Sequence, residues 1–247
     1  KYKIILILSI LILVLLSFFS ILVGNYKGLN LFRLIKVIFS SEEVFTQIEK
    51  TIILNIRLPR TIVAVLSGFS LALAGSLFQE TFNNELSSSD TLGVSSGASV
   101  GAAVGILLGF GSIFIQLSAL AFGLISIAFT FALANIFRKN GKISLILSGI
   151  LVSGFFSSIL SLLKYVADPN DELPTIIYWL MGSVDNSNYN QILISAVPMI
   201  MCIIICLIFS WRTGALALSD TEAKSRGFNI KAMRIICIIL ATLLTSC

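Results

Sequence analysis

The sequence predicts an all-α, polytopic helical membrane protein, and three observations predict it. Of 247 residues, 57% are hydrophobic and 12% are charged, whereas a soluble domain carries roughly 25% charged residues. The mean hydropathy is +1.00, and 18 Phe accompany long runs of Ile, Leu and Val. Ile4 to Val23 runs without a charge, and at about 1.5 Å per residue it matches a hydrocarbon core of about 30 Å. A soluble chain of this length needs more polar residues to cover its core, so lipid is the solvent that fits.

Ile4–Val23 is the first span, preceded by Lys1 and Lys3. A cleaved signal peptide has a shorter apolar region and an A-x-A-like site, which Leu22-Val23-Gly24-Asn25 does not supply. Further spans are expected at Leu58–Phe78, at Leu92–Leu117 with a glycine-rich first half, and at Ser118–Phe137, Ile143–Val166 and Ile192–Ser210. Gly109 to Gly111 is the turn signal between the third and fourth. A seventh begins at Ile235 and reaches Cys247 too soon to cross, so the chain reads as incomplete at its C-terminus.

Orientation follows from the placement of basic residues. With the N-terminus in the cytoplasm, the inner segments hold Lys1, Lys3, Arg138, Lys139, Lys142, Arg212, Lys224, Arg226, Lys231 and Arg234. Outside lie Lys27, Arg33, Lys36, Lys50, Arg57, Arg60 and Lys164. The net charge of +5 is spread along the loops in no cluster, so it fits a membrane surface and no nucleic acid. With no His in the chain, imidazole metal sites, Ser-His-Asp triads and histidine proton relays are excluded. Cys202, Cys206, Cys237 and Cys247 form no CxxC pair and read as small apolar residues. No metal site and no cofactor is expected.

Four features stand out. Arg57-Leu58-Pro59-Arg60 opens the second span, with proline at a first helical position. Two cations there oppose the helix dipole by roughly 0.3–1 kcal/mol each, so they either snorkel to lipid phosphates or dock carboxylates of an outside partner. Gly93, Gly97, Gly101, Gly105 and Gly109 recur every fourth residue, a stripe suited to close helix packing. A weaker stripe, Gly68, Ala72 and Ser76, lies on the second span. Gly149, Ser153, Ser157 and Ser161 share the same spacing on the fifth span, where they bond a neighbouring helix or line a wet path. No Asp, Glu, Lys or Arg sits mid-membrane, which favours an external energy source over ion coupling.

After the fifth span, Asp168 to Pro174 leads into a short amphipathic helix, Thr175 to Gly182, with Trp179 at the membrane interface. Trp211 to Arg234 is the longest cytoplasmic segment. Within it Ser219-Asp220-Thr221-Glu222 fits a capping box and Gly227 a helix end.

Together these residues bring the sequence to a family. It resembles the FecCD-type permeases, the membrane subunits of ABC importers for iron-siderophores, haem and vitamin B12. The resemblance rests on Arg57 to Arg60 followed by Gly68 to Gln79, on Leu92 to Ala98 and Leu147 to Ile150, on Trp179 to Ser183, and on Leu216 to Asp220 running to Ser225-Arg226-Gly227. One departure is Asn84-Glu85-Leu86 where the family commonly has Asn-Pro-Leu, which puts the local turn in question while Ser87 to Asp90 can still cap the next helix.

The resemblance implies a single permease domain over residues 1–247 of a ten-helix fold, about seven helices being present. It implies a dimer, with a second permease subunit identical or different, in a bacterial or archaeal cell membrane. Arg57 and Arg60 correspond to outer arginines that pair with glutamates of an extracytoplasmic substrate-binding protein. Leu218, Ser219, Asp220, Glu222, Ala223, Arg226 and Gly227, within the coupling segment 211–234, correspond to helices that dock a cytoplasmic ATPase. Gly149, Ser153, Ser157 and Ser161 correspond to the translocation path. No G-x-x-x-x-G-K-[ST] occurs, so ATP hydrolysis falls to that partner and this chain is not an enzyme. The expected function is import of an iron-siderophore-type chelate by alternating access, with haem or vitamin B12 as alternative ligands. A secondary transporter and a non-transporting membrane receptor are the rivals of another class.

Overall fold

The computed structural model describes residues 2–22, 47–137, 141–184, 189–213 and 230–246. Among them the chain forms α1 (Tyr2–Leu22), α2 (Gln47–Thr51), a π-helical segment (Ile52–Arg57), α3 (Leu58–Phe82), α4 (Val94–Leu107), α5 (Ser112–Ile136), α6 (Gly141–Val166), α7 (Glu172–Met181), α8 (Tyr189–Thr213) and α9 (Ile230–Ser246). No strand occurs among the described residues. Lys3–Ile21, Gln47–Phe82, Ser112–Ile136 and Ser144–Val166 are long and apolar enough to cross a membrane, and Val94–Leu107, Ser195–Ser210 and Ala232–Ser246 are shorter apolar helices. The expected apolar segments are therefore largely helical, and Val94–Leu107, at 14 residues, is a short helix among them.

The third expected span is the clearest correction. Leu92–Leu117 is not one helix: α4 ends at Leu107 after 14 residues, which at about 1.5 Å per residue is roughly 21 Å. Gly109 adopts φ 67°, its N–H bonds to the Ile106 carbonyl, and the Phe110 N–H bonds to the Gly105 carbonyl. That pair of bonds is a Schellman cap, which needs a left-handed residue after the last turn. The fourth helix therefore starts at Ser112, six residues before the expected Ser118.

The second correction concerns Pro59. It is not at a free helix start, because the apolar helix runs from Gln47 through the π segment to Phe82. The argument from an exposed positive helix end at Arg57 and Arg60 therefore lapses. The same continuation places Glu49 on this helix with 2% of its surface exposed, so it carries a buried carboxylate upstream of the expected span.

The chain divides into two compact units, Lys1–Ser67 with Val184–Leu193, and Gly68–Ser183 with Ile194–Cys247. In the first, the ends of three elements meet at the π segment. Arg57 donates from Nη1 to the Ile21 carbonyl at 3.0 Å, Ser20 and Thr61 hydroxyls lie 3.4 Å apart, and the Tyr189 phenol donates to the Leu54 carbonyl. The end of α1 and the starts of α3 and α8 thus share one side.

The second unit is built around one main core. Ala74, Leu77 and Phe78 of α3 meet Leu92 and Val94, Ile127 of α5, Cys202 and Cys206 of α8, and Cys237, Ala241 and Leu244 of α9. Cys202, Cys206 and Cys237 are buried free thiols, as expected of small apolar residues. Phe114, Phe129 and Phe155 are exposed, which suits side chains whose solvent is lipid.

The turn at Asn84-Glu85-Leu86, where the resemblance leads one to expect a proline, forms by other means. Asn83 takes φ 47°, a left-handed conformation that Asn tolerates better than most residues. The Asn84 side chain accepts the Leu86 N–H at 3.1 Å, and Gln79 donates to the Glu85 carbonyl at 3.2 Å. The cap of α4 comes from backbone: the Ser89 carbonyl accepts the Val94 N–H at 2.9 Å and the Ser95 N–H at 3.4 Å. Gly93, with no side-chain cap bond, is the N-cap residue.

Candidate functional site

Two places in the described fold gather the residues expected to act, one in each unit, and the sequence groups them differently from the structure. In the first unit, Arg57 closes the π segment and Arg60 lies one turn on, so the two share a helix face. Both are half-buried. Arg57 is committed at least in part to the Ile21 carbonyl, a charge-assisted bond that ties α1 to α3. The Thr61 hydroxyl donates to the Arg57 carbonyl at 2.9 Å, which holds the turn between the arginines.

In the second unit, α4 and α5 pair antiparallel through the glycine stripe. A Cβ at Gly97 would fall 2.7 Å from the Phe122 carbonyl oxygen, one at Gly101 would fall 2.8 Å from the Phe122 Cβ and overlap the Ser118 carbonyl, and one at Gly105 would fall 2.9 Å from the Ser118 hydroxyl. Ser118 donates to the Gly101 carbonyl at 2.6 Å. Ser126 donates to the Gly93 carbonyl at 2.6 Å, and Thr130 to the Leu92 carbonyl at 2.9 Å. Glycines at every fourth position of α4 thus face Ser118, Phe122 and Ser126, themselves four apart on α5. Gly109 is not in this seam: it lies past the end of α4, and nothing is within 4 Å of where its Cβ would be.

The stripe on α6 splits in two. A Cβ at Gly149 would lie 3.0 Å from the Leu92 Cα and overlap the Thr91 carbonyl, so the non-helical turn before α4 is seated directly on α6. Ser96 lies 3.2 Å from Ser153, hydroxyl to hydroxyl. Ser157 and Ser161 are exposed, and the Ser161 hydroxyl donates to the Ser157 carbonyl at 3.0 Å. Gly149 and Ser153 therefore face α4 and its turn, while Ser157 and Ser161 lie on the open surface of this unit.

Beyond α6, α7 buries Ile176 in a cluster with Ala103 and Ala167, and Leu173 and Leu180 pack against it. These positions recur at helical spacing, so α7 lies across the ends of α4 and α6, and Gly182 closes it at φ 71°. Leu218, Ser219, Asp220, Glu222, Ala223, Arg226 and Gly227 lie outside the described residues. Among the described residues no group of His, Cys, Asp and Glu is placed to hold a metal ion.

Sequence reasoning missed the α5 hydroxyls and Tyr189. Ser118, Ser126 and Thr130 carry a signal in their multiple-of-four spacing; Tyr189 carries none.

The profile of the FecCD transport family matches residues 11–247. The chain belongs to that family. Among FecCD relatives, the molybdate import system permease protein MolB of Haemophilus influenzae is 36% identical over 200 residues, covering 81% of this chain and 59% of MolB. The Fe(3+) dicitrate transport system permease protein FecC of Escherichia coli is 31% identical over 208 residues, covering 79% of this chain and 59% of FecC. The chain thus spans about three-fifths of the length of these curated relatives. A solved structure described as an inward-facing conformation of a metal-chelate type ABC transporter matches with a TM-score of 0.78 and 32% identity, over 100% of this chain and 74% of that one.

Proposed function

We propose that this chain serves as a transmembrane permease subunit of an ABC importer for an iron-chelate-type ligand, of which an iron-siderophore is the first example. The FecCD profile match over residues 11–247 carries the reading, and the likeness of the whole chain to a metal-chelate transporter supports it. In this reading a substrate-binding protein docks at Arg57 and Arg60, and a cytoplasmic ATPase engages residues 211–234. The N-terminus is then cytoplasmic. A second permease subunit completes a path beside the exposed Ser157 and Ser161, while Gly149 and Ser153, packed against the turn before α4 and against α4 itself, hold that helix in place rather than line the path. ATP-driven closure of the ATPase pair moves the coupling segment, and the helix bundle opens from one side to the other without covalent chemistry here.

A second reading, import of a molybdate-type oxyanion, is favoured by the 36% identity with MolB. The test is uptake into proteoliposomes holding the permease with its ATPase, with its binding protein outside. Radiolabelled ferric siderophore, haem, cobalamin and molybdate are offered in turn. ATP-dependent accumulation of the ferric chelate supports the first reading, and accumulation of molybdate alone supports the second. Uptake that survives ATP depletion and collapses with the ion gradient would overturn both.

A further inference from the structure

Pro59 sits where the helix bearing Arg57 and Arg60 changes register. In an unbroken α-helix a proline leaves the carbonyl four residues earlier without a donor and presses its ring against it. Here the preceding turn is widened instead, and the Leu58 N–H bonds back five residues to the Ile53 carbonyl. That widening moves the consequence of the proline onto Leu54. Its α-type donor, the Leu58 N–H, is used by Ile53, and its π-type donor would come from residue 59, which has no N–H. The Leu54 carbonyl is left without a backbone donor in both registers, a costly state for a membrane-spanning segment. The Tyr189 phenol, from the first residue of α8, donates to that oxygen. On the downstream side, Arg57 holds the Ile21 carbonyl.

We propose that Tyr189 is a positioning residue for the docking arginines: its hydroxyl keeps the bulge at Ile52–Arg57 in place by completing the Leu54 carbonyl. The bulge holds one residue more than an α turn. Its loss rotates the Gln47–Leu54 stretch by about 100° relative to Arg57 and Arg60, so the surface that the two sides share is broken up. A partner that docks on this surface therefore depends on a hydroxyl that need not touch it. π-bulges occur frequently at functional sites, and here both the cause of the bulge and its latch are identified. The inference rests on the reading of Arg57 and Arg60 as docking residues.

The experiment uses the full chain in nanodiscs, with Tyr189→Phe, Pro59→Ala and their combination. Two quantities are read: docking affinity for the substrate-binding protein over a salt series, and the thermal midpoint. Tyr189→Phe is expected to weaken docking roughly two- to tenfold, the worth of one hydrogen bond. The salt dependence should not change, because both arginine charges remain, whereas Arg60→Gln should flatten it. Pro59→Ala restores a backbone donor at position 59, so Tyr189→Phe should lower the midpoint of the wild-type protein and leave that of the Pro59→Ala variant unchanged. Docking by Tyr189→Phe equal to wild type, or additive midpoints in the two backgrounds, overturns the proposal. Wild-type protein that does not dock at all sinks the arginine reading, and the midpoint cycle then judges the latch alone: non-additive values uphold it and additive values overturn it.

Discussion

The Ser126 hydroxyl lies 2.6 Å from the carbonyl oxygen of Gly93, and the bond is buried. It exists because the two helices match in period. Gly93, the N-cap of α4, and Gly97 and Gly101 within it lie four apart, and Ser126, Phe122 and Ser118 lie four apart in the opposite sense on α5. The missing Cβ atoms let backbone approach backbone, and the serine hydroxyls then reach main-chain carbonyls across the interface. In a membrane, where apolar side chains gain little by leaving lipid, such close contacts and hydroxyl bonds are what hold helices together.

Ser126→Ala should therefore destabilise the fold by about 0.5–1.5 kcal/mol, the net worth of one hydrogen bond, because the Gly93 carbonyl keeps the Gly97 N–H and the Ser96 hydroxyl as donors. In a protein of this size that is a fall in thermal midpoint of roughly 2–4 °C per kcal/mol. Thr130→Val, which frees the adjacent Leu92 carbonyl, should not add independently to it, since both hydroxyls hold one turn. Thermal unfolding in detergent, read by intrinsic fluorescence, is the measurement. Full additivity would count against a shared anchor.

Gly101→Ala should be far worse than Gly154→Ala. A Cβ at Gly101 meets the backbone of Ser118, whereas nothing lies within 4 Å of one at Gly154. Backbone does not yield as a flexible side chain does, so the pair must separate, and overpacking of this kind costs about 1–3 kcal/mol or more. Gly149→Ala, against the Thr91 backbone, should behave like Gly101→Ala. Gly109→Ala should lose only about 1–2 kcal/mol, the cost of a left-handed residue in open space. Yield of monodisperse protein and thermal midpoint rank the four.

The two arginines should separate by phenotype. Arg60→Glu is expected to abolish docking of the binding protein while membrane insertion stays intact and the midpoint moves little. Arg57→Glu should abolish docking and also lower the midpoint by several degrees, since it breaks the bond to Ile21. Affinity in nanodiscs beside thermal unfolding of the same samples resolves the two. Unchanged docking in Arg60→Glu would remove that residue from the interface.

The proposed ATPase contact of residues 211–234 has a test of its own. A Glu222→Lys and Arg226→Glu double substitution should lose co-purification of the ATPase and retain docking of the binding protein on the opposite side. Equal ATPase capture by wild type and the double variant would favour a receptor that needs no motor.

Much of the fold was legible in the residues themselves. The uncharged run that became α1, the extent of α6 and the close of α7 at Gly182 all follow from hydropathy and glycine. The glycine row of α4 was visible as a period. Its partner was not, because Ser118, Ser126 and Thr130 stand eight and four residues apart within an apolar helix and resemble incidental hydroxyls until a facing carbonyl is present. The third span was overextended for a related reason. Hydropathy averages smoothly across α4, its turn and α5, since residues facing lipid and residues facing a helix are equally apolar.

The sequence by itself determined the solvent of this protein, its helical class, the order of its apolar segments and its family, because composition and motif order do not depend on what packs against what. Only the tertiary structure decided that α4 is a short helix seated between α5 and α6, that Gly149 receives a backbone turn, and that Tyr189 completes the Leu54 carbonyl beside Pro59. Each of these is a question of which backbone groups lack a donor and which distant side chain can reach them. Pro59, read as a first helical position, marked no open carbonyl; only the fold shows the widened turn behind it and brings the hydroxyl that reaches Leu54.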